Sequence, residues 1–302
     1  MHVEEAAVDD GAVVSVPVAD VTIEAMTHSS SHAPSLAIAV LLNSYKSPFI
    51  TQIRQSYVRT ITAVSPYSRL TFFYPAEKDE FPNPEDFDLI VVGGSNVDPR
   101  KPHGWIKRVH QFVLDVTRDY PSKRICGICW GHQTISLVFG GEVVDMDCPE
   151  VGPVKLGNTG TKETDIGRKL GVTEVPLTTH GQRFFRPEGV RSEKALRVQQ
   201  HHRREVSVKP AGFVGLSEDN QCFINELGTI LTFQGHSEKD AETAKLRIHD
   251  IERWFRLNVR DQNVVNEVLR RMELEHDGDV IWRRVLEWAA ELDGVIESPC
   301  KI

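Results

Sequence analysis

The first sharp hydrophobic signal follows Ser35. "LAIAVLL" (36–42) is an unbroken apolar run, the pattern of a strand buried on both faces of a parallel sheet. Mixed polar and apolar residues at helical spacing follow in "QIRQSYVRTI" (52–61), and then a second strand in "RLTFFY" (69–74). Pro75, Pro82 and Pro84 punctuate the loop before a third strand, "FDLIVVGGS" (87–95), which runs into a glycine turn. Trp105, Ile106, Val109, Phe112, Val113 and Val116 recur at the spacing of one helix face. "RICGIC" (124–129) is a fourth strand, and 131–139 is a helix that Gly140 and Gly141 terminate. Four strands interleaved with three helices by short connections predict an α/β fold, a doubly wound, mostly parallel sheet flanked by helices.

The pattern loosens between 150 and 200, where several Gly and Pro residues predict short antiparallel strands or loops beside the main sheet. "GFVGLS" (212–217), "QCFINE" (221–226) and "TILTFQG" (229–235) read as a strand meander, and helices fill 238–257, 261–273 and 280–292. The stripes Val268, Leu269, Met272 and Ile281, Val285, Leu286 read as packing faces, not a cofactor site. Residues 1–34, with the Ser- and His-rich "THSSSHAPS", lack clear periodicity and predict a poorly ordered tail. The expected organisation is a tail (1–34), a catalytic α/β domain (35–257) and a helical extension packed on it (258–302).

Composition narrows the function. A net charge of −8 argues against a general nucleic-acid binder, which needs a basic face. No apolar run approaches the roughly 18 residues that span a bilayer. The acidic start "MHVEEAAVDD" is unlike a secretory signal, and five cysteines scattered over 302 residues form no disulfide framework, so a reducing cytoplasm is expected. Neither a cofactor nor a metal is called for.

The candidate chemistry sits in "CGICWGHQ" (126–133). A thioredoxin-type pair would open a helix with both cysteines, but Cys126 falls inside the strand, and no second Cys or His pair of matching spacing exists for zinc. Cys126 reads as a bystander. Cys129 instead lies where strand passes to helix, in the G-x-nucleophile-x-G pattern of a strained elbow whose glycines permit close packing. The helix N-terminus favours thiolate there, and the Trp130 N–H can face an oxyanion. A base is available in "LTFQGHSE" (231–238), where His236 follows a strand end and Glu238 can accept its other N–H and hold its tautomer. Glu238 would equally suit the start of the next helix.

These residues resemble the class I glutamine amidotransferases, which carry a G-x-C-x-G-H-Q elbow and a later His-x-Glu after a strand, here "GICWGHQ" and "HSE". The resemblance covers about residues 36–257, and the lack of an attached synthetase or P-loop makes the layout most similar to the stand-alone γ-glutamyl peptidases. It implies Cys129 as nucleophile, His236 as base and acid, and Glu238 as the orienting carboxylate. Gly94, with Ser95, and Trp130 would supply oxyanion N–H groups, and Gln133 would help seat the substrate. Three departures stand out. Ser237 replaces the usual Pro, and Ser95 replaces the Pro of a Gly-Gly-Pro turn. In "VQQHHRREV" (198–206), His202 fits a family His, but Arg204 stands where an acid would hold the substrate's α-amino group. Either Glu205 substitutes or the substrate differs from free glutamine; a solvated basic loop is the plainer alternative for this segment.

The expected function is therefore hydrolysis of a γ-glutamyl amide, in a glutathione-type peptide or conjugate, through a thioester on Cys129. The alternatives are a glutaminase subunit that supplies ammonia to a separate synthase partner, and a non-catalytic binding module.

Overall fold

The computed structural model of the chain describes residues 32–146, 169–185, 194–246 and 262–291. The apolar run after Ser35 forms β1 (Ala37–Leu41), buried along most of its length. It is followed by α1 (Ile50–Val64), β2 (Arg69–Phe73), a short α2 (Pro75–Lys78), β3 (Leu89–Val92), α3 (Gly104–Asp119), β4 (Arg124–Ile128) and α4 (Trp130–Val138). β3 and β4 are buried at every position, as strands covered on both faces must be. The seven-stranded sheet runs β2-β1-β3-β4, then β11 (Ile230–Phe233), β10 (Cys222–Asn225) and β9 (Phe213–Gly215). The first five of these are parallel, β10 runs antiparallel to β11, and β9 runs antiparallel to β10. The doubly wound reading and the meander both hold.

Two antiparallel ladders lie outside this sheet. One pairs β5 (Glu142–Asp145) with β8 (Arg204–Val208), and the other pairs β6 (Lys169–Pro176) with β7 (Ala195–His202). Between β6 and β7 lies α5 (Thr179–Phe185), and after β11 come α6 (Ala241–Leu246), α7 (Gln262–Met272) and α8 (Gly278–Ala290). The expected helix over 238–257 is thus described only in its first part, and its remainder, like residues 1–31 of the expected tail, lies outside the described residues. Ala33, at the end of that expected tail, is buried and donates its N–H to the Val64 carbonyl.

The two apolar stripes read for the C-terminal helices are packing faces. Val268, Met272, Ile281, Val285 and Leu286 are buried, while Leu269 sits at the margin. α8 lies on α1 through Trp282 and Tyr57, whose rings meet edge to face at 6.4 Å. The Trp288 indole donates to the Gly228 carbonyl at 2.7 Å. Thr243 N–H is capped by Asp240, whose carboxylate also receives Arg59 of α1 at 2.7 Å. These contacts tie the chain that follows β11 to the helices on one side of the sheet.

Candidate active site

Cys129 is the residue between β4 and α4, with φ +52° and ψ −99°, a backbone conformation that a non-glycine residue holds only under constraint. Its own N–H donates to the Phe233 carbonyl at 2.8 Å, and its carbonyl accepts from Gln133 N–H at 3.0 Å. The elbow glycines are required by contact. A Cβ on Gly131 would lie 1.9 Å from the Val92 carbonyl oxygen, and one on Gly127 would lie 2.9 Å from the Gly131 carbonyl carbon. The helix therefore seats directly on β3 and β4. At its far end Gly140, with φ +83°, and the Gly141 N–H bonded to the Ser136 carbonyl at 2.7 Å close the helix. The motif's His132 points to the core, bonded to Thr232 and stacked on Phe223, and burial pushes it down to about 3.

The parallel register pairs Ile128 with Phe233, so β4 and β11 end level, and the chain past β11 emerges beside the sulfur. There His236 Nδ1 and Glu238 Oε1 are 2.6 Å apart, both buried. The loop is fastened at several points. His236 N–H donates to the Gln199 carbonyl at 2.8 Å, and the Ser56 hydroxyl of α1 donates to the Glu238 carbonyl. Gly235 passes so near β7 that a Cβ would sit 2.6 Å from Val198 Cγ1. Gly94 completes the group, because a Cβ there would be 3.2 Å from His236 Cε1 and 3.9 Å from Cys129 Cβ. Asn43 holds this turn from the end of β1 by donating to the Gly93 carbonyl at 3.2 Å. Ser95 Oγ accepts from Val97 N–H at 3.2 Å, and Trp130 lies buried and stacked on Trp105 at 5.3 Å.

The electrostatics favour an ion pair. Burial alone would raise the Cys129 thiol, but the His236 charge and hydrogen bond, together with Lys239, outweigh it and hold the thiol below its ordinary value. His236 is raised: burial and Lys239 oppose its charge, and Glu238 and Cys129 overcome them. Glu238 is held down chiefly by the imidazolium against the cost of its burial. Cys126 is the opposite case, fully buried in β4 with burial pushing its thiol far up, as an inert core cysteine requires. Among the described residues no group of His, Cys, Asp and Glu could hold a metal ion.

The residues expected to seat the substrate are distributed differently from the sequence reading. The segment read alternatively as a solvated basic loop is strand β7 running into β8, with Gln199, Gln200, His202 and Arg204 buried. His202 Nδ1 is 2.9 Å from the Arg204 carbonyl oxygen, and burial pushes the ring down to about 3, so it is neutral. Its neighbour His201 is the one that lines the cleft with Cys129, Gly94, Ser95 and His236. The His201 carbonyl lies 4.0 Å from Cys129 Sγ, and its ring meets His236 edge-on at 6.4 Å. Gln133 spends both amide hydrogens internally, on the Arg204 carbonyl at 2.9 Å and Gln234 Oε1 at 3.1 Å. Glu205, opposite Val144 in the β5–β8 ladder, faces the other side of the strand from Arg204 and does not line the cleft. Ser44, Tyr57 and Lys239 also line it, and no motif marked them.

A family model for class I glutamine amidotransferases matches residues 47–252. The glutamine amidotransferase-like protein chyE of Penicillium rubens is 30% identical over 260 residues, covering 85% of this chain and 98% of its own. The chain belongs to the class I glutamine amidotransferase family. Members are typically cysteine-dependent hydrolases. γ-Glutamyl peptidase 3 of Arabidopsis thaliana is 21% identical over 68% of this chain and 76% of its own. A solved glutamine amidotransferase from Thermotoga maritima superimposes with a TM-score of 0.59 at 19% identity, covering 85% of this chain and all of that one. That likeness establishes the amidotransferase fold, including the mostly parallel sheet. No helix among the described residues is long and apolar enough to cross a membrane.

Proposed function

We propose that the protein hydrolyses a γ-glutamyl amide, in a glutathione-type peptide or conjugate, through a thioester on Cys129. The observation that carries this reading is the buried 2.6 Å pair of His236 and Glu238 beside a cysteine at a strained strand-to-helix elbow. The Cys129 thiolate attacks the γ-carbonyl carbon, and the resulting oxyanion is met by backbone N–H groups from the Gly94–Ser95 turn and from Trp130. His236 gives its Nε2 proton to the leaving nitrogen as the C–N bond breaks, which frees the amine and leaves the acyl group on sulfur. The neutral His236 then takes a proton from water, whose oxygen attacks the thioester carbon, and the thiolate departs. Glu238 accepts the Nδ1–H throughout and keeps the imidazole turned to the sulfur. Support for the peptidase reading comes from γ-glutamyl peptidases 3 and 2 of Arabidopsis among the relatives.

The test is glutamate release from glutathione, a glutathione S-conjugate and free glutamine, with Cys129→Ala as control. Release from the tripeptides that vanishes in a folded Cys129→Ala protein is expected. Substantial release by that variant would sink the nucleophile assignment. A second reading, an ammonia-supplying subunit, draws on a glutamine-hydrolysing GMP synthase subunit of Ignicoccus hospitalis, 30% identical over 35% of this chain. It predicts release from glutamine that rises when a synthase partner is added.

A further inference from the structure

Arg204 is 5% exposed, and its Nε and Nη2 have no hydrogen-bond partner among the described residues. The nearest acids, Asp98 Oδ2 and Asp145 Oδ1, both stand 3.4 Å from Nε. Those carboxylates are already taken by Arg100, which reaches Asp98 at 2.7 and 2.9 Å and Asp145 at 2.5 Å. Two acids are thus shared by two guanidiniums, with Arg203 adjacent in sequence adding further positive charge. A buried guanidinium with unused donors is costly unless an anion supplies the missing acceptors.

Arg204, like Glu205, is not among the residues that line the cleft, but its backbone is close to the nucleophile. The chain passes the sulfur at the His201 carbonyl, and three residues later, at most about 10 Å along the backbone, it reaches Arg204. Gln133, one helical turn beyond Cys129, grips the Arg204 carbonyl and fixes that residue beside the elbow. The planar fork of a guanidinium matches a carboxylate through two parallel N–H···O bonds.

We propose that Arg204 forms an anion subsite that receives a carboxylate carried on the acyl half of the substrate. This rests on the hydrolase reading of the cleft and adds the substrate class: an acyl chain ending in a carboxylate, with no ammonium needed beside it. A γ-glutamyl group satisfies it through its α-carboxylate, and a glutaryl group satisfies it equally.

The experiment uses Cys129→Ala protein, so that no chemistry intervenes, and measures binding of glutaramate and its methyl ester by titration calorimetry. Glutaramate is expected to bind at least about 10-fold more tightly than the ester, as the loss of one charged hydrogen-bonded pair implies. The folded Cys129→Ala/Arg204→Met double variant should bind both ligands as weakly as the parent binds the ester. Equal affinities in the parent overturn the proposal without any change at Arg204, and so does failure of glutaramate to bind. Discrimination that survives in the double variant also overturns it, by placing the carboxylate elsewhere. The hydrolase reading is judged separately, by glutamate release from the intact enzyme.

Discussion

Cys129 and His236 feel two neighbours of opposite sign, and each neighbour moves both groups in the same direction. Lys239 lowers both, and Glu238 raises both. Thiolate forms as pH rises through the thiol's value, and the proton for the leaving nitrogen is lost as pH rises through that of the imidazolium. Iodoacetamide alkylation of Cys129 should therefore show its inflection below the ordinary thiol value of 9.0, because the thiol is lowered. Lys239→Met should move that inflection, and both limbs of the pH–rate profile, to higher pH. Glu238→Gln should move them to lower pH and also cut kcat by about 100-fold or more, because the imidazole loses its orienting acceptor. An unmoved inflection in both variants would count against the ion pair. The elbow at Cys129 and the position of His236 after a strand were legible as residues, since an elbow needs glycines at fixed offsets and β11 ends just before His236. The choice between His201 and His202 was not, because strand alternation turns one to the cleft and the other to the core.

At the scale of elements, the elbow depends on how closely α4 approaches β3. Gly131→Ala should cost about 3 kcal/mol or more, since its methyl would fall 1.9 Å from a carbonyl oxygen that belongs to the sheet and cannot move aside. Urea denaturation checks the loss, and stability unchanged within 0.5 kcal/mol, roughly the noise of a neutral surface change, would contradict the packing. The parallel strands were readable because burial on both faces leaves continuous apolar runs. Antiparallel strands beside the sheet were expected and are present, but the pairings β6–β7 and β5–β8 were not readable, because residues such as Gln199, Gln200 and Arg204 are polar yet buried, and polar strands do not announce burial.

For the whole molecule, α8 packs on α1 and reaches the loop that carries His236 and Glu238. A Cβ on Gly278 would lie 2.7 Å from the Ser237 carbonyl oxygen, and Asp277 exchanges hydrogen bonds with the Arg197 backbone at 2.7 and 2.8 Å. Trp282→Ala, at a site 1% exposed, should cost about 3–5 kcal/mol in denaturant unfolding. Activity should fall with it under native conditions, because the loop holding His236 and Glu238 loses its support. Full stability in this variant would show that the helix is dispensable to the domain.

The sequence by itself determined the alternation of strand and helix, the elbow at Cys129 and the His236–Glu238 spacing. Each is a local pattern whose period or contact lies within a few residues. Only the tertiary structure decided that Arg204 is buried beside Asp98 and Asp145, that Gln133 turns inward and that Lys239 enters the cleft. Burial and charge pairing depend on which distant segments meet, and strand pairing, not local propensity, brings those segments together.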